Sequence, residues 1–240
     1  MSESGNNSPQ DHPPQDHPQQ DNPYYSAGLV APVNDYWSAR RKAADACRRL
    51  IESLVTTGAG PELLEQVAGV LSEQARHLDT ERQFCGRMSF VGAGDRGSFP
   101  EIDYEVSPLN GQSNPIAPSM VVHLDGEKVH GRATLGWPYE GPPGCVHGGF
   151  IAALFDQLLG VGQILSPAPG FTGTLSVRYL KPTPLNTELR MEGWVDRVEG
   201  RKAFLSGEMW AGEVKTATCE GVFINVPEDA VVNTAGGAGK

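Results

Sequence analysis

The sequence predicts an α+β domain in which an antiparallel sheet wraps around one central helix. Three observations carry this. In GPPGCVHGGFIAALFDQLL, residues 141–159, the apolar residues Ile151, Leu154, Phe155, Leu158 and Leu159 recur at the spacing of one helix face. Two strand-like segments precede this helix and four follow it. The links between most neighbouring strands are short and contain glycine, which suits hairpins rather than crossovers.

Taken in order, residues 1–33 read as a disordered low-complexity tail: Pro, Gln, Asp, Ser and Asn dominate and QDHP occurs twice. Its His12 and His17 are too few ligands for a metal site. Residues 34–79 read as a helical hairpin. Asn34 or Asp35 caps a helix over 36–55 whose apolar face holds Trp37, Ala44, Cys47, Leu50, Ile51 and Leu54. Thr57-Gly58-Ala59-Gly60 ends it, and Pro61 opens a second helix to about residue 78 with Leu63, Leu64, Val67, Val70 and Leu71 as apolar positions. Packing on the main domain, a lid over the site and a partner-binding arm are all open to such a hairpin.

Residues 80–118 read as an irregular linker, in which GAGDRG lacks the lysine and spacing of a phosphate loop. The main domain is expected over 119–226, with strands at 120–124, 128–135, 172–180, 187–198, 202–211 and 214–226. Asp125-Gly126-Glu127, Glu199-Gly200-Arg201 and Gly212-Glu213 are the turn signals. Residues 227–240 read as a flexible Gly/Ala-rich tail.

Composition narrows the function. The 240 residues carry a net charge of −10, which argues against general nucleic-acid binding. The four cysteines form no CxxC pair, so they read as reduced thiols rather than a disulfide frame or zinc site. No apolar run approaches the roughly 18 residues of a membrane span, and the N-terminus lacks a secretory pattern, so a cytoplasmic protein is expected.

The chemistry concentrates at the helix start. The first N–H groups of a helix lack internal partners and carry the positive end of its dipole, and Gly148 and Gly149 let another group approach them closely. This suits a developing oxyanion. Asp156 falls about 130° from the centre of the apolar face, a place that fits either a plain exposed carboxylate or one facing a cleft. Gly148 and Asp156 lie about 12 Å apart along one helix, so they cannot serve the same carbonyl from one chain. If both act, Gly148 of one subunit meets Asp156 of another.

GPPGCVHGG, the nine-residue step from His147 to Asp156, FTGTLSVRYLKPTPL and DRVEGRKAFLSGEM together resemble the PaaI-like acyl-CoA thioesterases of the hot-dog fold, closest to the branch with the animal long-chain enzymes. The likeness runs over about 119–226. It implies hydrolysis of acyl-CoA to acid and CoA, with CoA entering only as part of the substrate and no separate cofactor or metal. By the resemblance Asp156 is general base or nucleophile, Gly148 with Gly149 polarises the carbonyl, His147 shapes the loop and Thr172 positions water or carboxylate. Thr174 shares the strand face of Thr172 by alternation, so either hydroxyl can point inward. Arg178, Lys181, Arg201 and Lys202 are expected to cluster near the CoA phosphates. The resemblance also implies a homodimer or dimer of dimers with sites across the interface.

Other readings are weaker. Cys145 precedes His147 by two residues without a third orienting group and reads as loop packing. His123 and His130 read as structural strand residues. Phe150, Phe155, Phe171 and Trp137 suit an acyl tunnel or the core equally. The alternatives are an enoyl-CoA hydratase on the same fold and a non-catalytic acyl-CoA sensor or partner-binding protein.

Overall fold

The computed structural model describes residues 31–226, save 33, 92, 95 and 168. The tails expected at the two ends of the chain therefore lie almost wholly outside the described residues. The elements are α1 (Asp35–Thr56), α2 (Pro61–Asp79), α3 (Phe99–Val106), β1 (Val121–Asp125), β2 (Lys128–Thr134), α4 (Gly148–Gly162), β3 (Phe171–Tyr179), β4 (Glu188–Glu199), β5 (Lys202–Ala211) and β6 (Val214–Ile224). The strands form one antiparallel sheet in the order β1-β2-β4-β5-β6-β3. Its elements agree with the expected ones to within a residue or two at most ends.

Helix α4 packs across the sheet and touches all six strands. The five residues of its predicted apolar face are all buried. They meet Val129, Leu189, Met191, Leu205, Met209 and Phe223 from the strands in one core. Burial of each such side chain is worth about 1.5–3 kcal/mol. The sheet receives Leu159 through missing side chains: a Cβ on Gly193 or Gly221 would lie 2.9 Å from its methyl groups. Taken with the turn after it, 148–165 has the length and hydropathy of a membrane span. Its apolar face is spent on the sheet.

The stretch 80–118, expected to be irregular, is instead built into the body. Helix α3 begins with a capping box in which the Ser98 N–H donates to Glu101 Oε2 at 2.7 Å. A second small core joins Trp37 of α1 to Phe90 and Ile102. The Trp37 indole N–H donates to the Arg96 carbonyl at 2.7 Å. Arg41 of α1 pairs at 2.6 Å with Glu105, a carboxylate 2% exposed that also accepts from the Ser113 hydroxyl at 2.5 Å. Arg48 donates to the carbonyls of Gln112, Asn114 and Ala117 at 2.9–3.0 Å. A small apolar core and long-range polar ties together hold this region, and its one helix is too short for the periodic pattern to show it.

The two N-terminal helices form in the expected places, and the end of α2 borders a cleft with α1, where Leu78 lies with Tyr36, Ala39, Arg40 and Ala43. Asn34 caps α1, accepting from Trp37 N–H at 3.1 Å, and α1 packs on the body. Helix α2 contains no buried residue.

Candidate active site

The loop before α4 is pinned at both ends. The Cys145 carbonyl accepts from Gly141 N–H at 2.9 Å, Val146 N–H donates to Thr183 O at 2.8 Å, and His147 N–H donates to Tyr139 O at 2.9 Å. Gly144, at φ +72°, takes the left-handed conformation that turns the loop, and its N–H donates to the Glu140 carboxylate at 2.7 Å. A Cβ on Gly141 would lie 2.7 Å from His147 Cα. The Pro/Gly sequence is what lets the chain fold this tightly.

His147 is the N-cap of α4. Its Nδ1 accepts from Gly149 N–H at 3.0 Å, which puts the proton of the neutral ring on Nε2. Phe150 and Ile151 N–H both donate to the His147 carbonyl. The sequence reading offered Gly148 and Gly149 together as oxyanion donors. Here the Gly149 N–H is spent on the cap, while the Gly148 N–H has no hydrogen-bond partner among the described residues. It borders a cleft of about 430 Å³ formed with Pro142, Cys145, Tyr179, Leu180 and Lys181. With Nδ1 committed to the cap, that ring nitrogen is unavailable to deprotonate Cys145.

Asp156 lies one and a half turns past the cap's end of the apolar face, on the exposed side of α4. Its Oδ1 accepts from the Thr172 hydroxyl at 2.9 Å. A bulge makes this contact. Thr172 pairs with Phe223, yet Thr174 pairs with Val222, so Gly173 is an extra residue. The bulge shifts the alternation by one. Thr172 joins the helix-facing side with Leu175 and Val177, and Thr174 takes the opposite side. The expectation that the two threonines share a face is corrected by this one residue, and Thr174 is turned away from Asp156.

The basic residues separate into two sets. Arg178 pairs with Thr218 near one end of β3, and Lys181 follows it into the Gly148 cleft. Lys202 pairs with Ile224, which pairs with Phe171 at the other end of the strand. The seven residue steps from Phe171 to Arg178 span about 23 Å. Within one chain the expected cluster of Arg178, Lys181, Arg201 and Lys202 does not form, because an extended strand lies between its halves.

Tyr179 is the site residue that motif reading passed over. Its hydroxyl donates to the Gly148 carbonyl at 2.9 Å, and its ring sits 3.3 Å from where a Gly148 Cβ would be. The signal was present as alternation: Leu175, Val177 and Tyr179 share the helix-facing side. Of the aromatic candidates, Phe155 is core, Phe171 and Trp137 are exposed, and Phe150 lines an apolar cleft of about 510 Å³ with Ile51, Leu109, Ile116, Tyr139 and Ala153. Burial there pushes the Tyr139 phenol above its ordinary pKa. His123 and His130 stack at 5.2 Å on the β1–β2 hairpin, away from α4's N-terminus. Among the described residues no group of three or more His, Cys, Asp or Glu is placed to hold a metal.

Comparison with known proteins agrees with this architecture. The pattern of the thioesterase superfamily matches residues 143–218. Acyl-coenzyme A thioesterase THEM4 of Xenopus laevis is 41% identical over 70 residues, 29% of this chain and 32% of that protein. THEM4 of Mus musculus is 33% identical over 90 residues, 38% of this chain and 39% of that protein. These matches thus span only about a third of the curated relatives. A crystal structure of a thioesterase superfamily protein superposes with a TM-score of 0.66 at 33% identity, covering 84% of this chain and 98% of that one. Residues 119–226 are under half of the chain, so the shared architecture reaches into the N-terminal region, beyond the stretch where motifs alone show a likeness. By its fold and by this near-complete match, the chain belongs to the thioesterase superfamily.

Proposed function

We propose that the protein hydrolyses acyl-CoA thioesters to a free acid and CoA, in sites completed by a second copy of the chain. The observation that carries this reading is the Thr172–Asp156 hydrogen bond on the exposed side of α4. Thr172 fixes one carboxylate oxygen and leaves the other to meet a water or a carbonyl carbon. A purely binding protein has no need of that arrangement.

The Gly148 N–H supplies the other half. Oriented by the His147 cap and the Tyr179 contact to its own carbonyl, it would hydrogen-bond the thioester oxygen as charge develops there. Water, giving a proton to Asp156, would attack the carbonyl carbon. Collapse of the tetrahedral intermediate would break the C–S bond, and the proton would pass to the departing sulfur. Direct attack by Asp156 would give a mixed anhydride that water then opens. Neither route calls for a cofactor.

The two halves are about 12 Å apart on one helix, so a second copy is needed. Strand β3 is a free edge of the sheet whose outward side chains are exposed. Antiparallel pairing of two β3 edges would bring Thr172 of one subunit toward Tyr179 of the other. Gly148 would then approach the second copy's Asp156. The same pairing would draw Arg178 and Lys181 toward the other copy's Arg201 and Lys202, giving the CoA phosphates a basic border. The apolar cleft beside Phe150 suits the acyl chain.

The test is CoA release from acyl-CoAs of graded chain length, aryl thioesters included. Wild type should turn over one class, and Asp156→Ala should lose about 10²-fold or more in kcat at similar KM. Full activity in Asp156→Ala would overturn the assignment.

A further inference from the structure

A cleft of about 750 Å³ lies away from α4, between the first half of α1, the end of α2 and residues 81–96. Three arginines line it, Arg40, Arg82 and Arg96, against one described carboxylate, Glu81. The chain as a whole carries a net charge of −10, so this local excess of positive charge runs against its composition. Among the described residues none of the three arginines is in an ion pair. The thioester chemistry uses none of them.

The arginines are held rather than solvated. The Arg96 guanidinium lies 3.5 Å over the Tyr36 ring, and the Trp37 indole N–H fixes its backbone through the Arg96 carbonyl at 2.7 Å. Arg40 sits 5.5–5.6 Å from the rings of Tyr36, Trp37 and Phe90 and donates to the Tyr36 hydroxyl at 3.0 Å. Arg82 lies 5.0 Å over Phe84, whose ring stacks on Phe90 at 4.8 Å. Arg40 Nε and Arg96 Nε are buried without a hydrogen-bond partner. A buried donor left unpaired is costly, and a cation that needed only water would turn outward. Stacking instead fixes each guanidinium plane by its face and leaves N–H groups at its edge to donate.

The size and the donors say what fits. Clefts of roughly 300–1,000 Å³ take small molecules. Guanidinium forks suit phosphate oxygens, which accept pairs of N–H groups. Leu78, Ala43 and Phe84 make part of the wall apolar, which suits an organic body attached to the phosphate. We propose that this cleft binds a phosphorylated small molecule, its phosphate held by Arg40, Arg82 and Arg96. The site is separate from that of the thioester. Glu52, near the other end of α1, reaches Gly136 and Trp137 ahead of α4, and Arg40 lies about 18 Å from it along the helix. The inference does not rest on the thioester reading.

The test is calorimetric titration of the full chain with inorganic pyrophosphate and with ADP. Both should bind at this site, more weakly as salt is added, and ADP should bind several-fold tighter. Arg96→Gln should weaken both about tenfold or more. Arg82→Gln changes an exposed rim residue, so the fold is kept, and should weaken them several-fold. Lys181→Gln, which alters the proposed CoA border, should leave this binding unchanged. Binding of neither probe would overturn the proposal, as would binding lost in Lys181→Gln and kept in both arginine variants. Pyrophosphate binding as tightly as ADP would mean a site for free phosphate and would overturn the choice of an organic ligand. An acidic peptide that binds where neither phosphate does would make the cleft a peptide site and overturn the proposal. CoA release by Arg82→Gln reports on the thioester reading separately.

Discussion

Helices α4 and α2 are read from the same signal, apolar residues at helical spacing, and meet opposite fates. Helix α4 has its whole apolar face buried against six strands. Helix α2 has none of its face buried. Periodicity therefore shows that a face must be covered, but not by what. For α4 the cover is written nearby, in six strand segments joined by short links. For α2 no such cover is written nearby: its face stays exposed, and only Leu78 at its end borders a cleft with Tyr36, Ala39 and Arg40 of α1.

The sharpest contrast between the two is energetic. Leu158→Ala removes a fully buried side chain facing Gly131 and should cost about 2–5 kcal/mol in urea unfolding. Leu71→Ala, at 39% exposure, should cost under about 0.5 kcal/mol. Comparable losses at both positions would mean that the face of α2 is covered, and the comparison would fail.

A middle case lies between them. Helix α3 is only eight residues long with Pro100 in its first turn, so although Phe99, Ile102 and Val106 keep helical spacing, the run is too short to be legible as a helix by pattern. Its start was legible by capping chemistry, since Ser98 and Glu101 are the S-x-x-E of a capping box. Ser98→Ala should lower stability by about 1 kcal/mol, read as a shift in the urea midpoint without a change in slope.

The same division explains the site. The Gly148 turn, His147 and Asp156 were legible because each belongs to a local motif at the head of one helix. Thr172 was placed by resemblance, but its partnership with Asp156 depends on the bulge at Gly173, which no alternation rule foresees. The supposed basic cluster failed because sequence shows that residues end neighbouring strands but not which ends meet. Arg178 and Lys202 lie at opposite ends of the sheet edge region, and only a second chain would join them. The 80–118 stretch was missed because the Arg41–Glu105 pair and the Arg48 contacts that hold it connect residues more than sixty positions apart.

The smallest effect concerns the β1–β2 hairpin. Burial, the neighbouring His130 and Arg132 together lower the pKa of His123 below its ordinary 6.5, against the opposing pull of Asp125. The unfolded chain then takes up this proton before the folded one does. Stability from this residue is fully present above pH 6.5 and declines as pH falls from there through the lower folded value. His123→Gln should flatten the thermal-melting temperature between pH 7 and pH 5 by about a degree or two. A steeper decline in the variant would contradict the assignment.

The central claim is that each site takes Gly148 from one chain and Asp156 from another. Gly148→Pro deletes the N–H at a helix position that tolerates proline, and Asp156→Ala deletes the carboxylate. Each variant alone should be nearly inactive. Unfolded and refolded together in equal amounts, they should regain about a quarter of wild-type kcat, because half the dimers are mixed and each mixed dimer holds one intact site. No recovery in a mixture shown to contain mixed dimers would contradict the shared site.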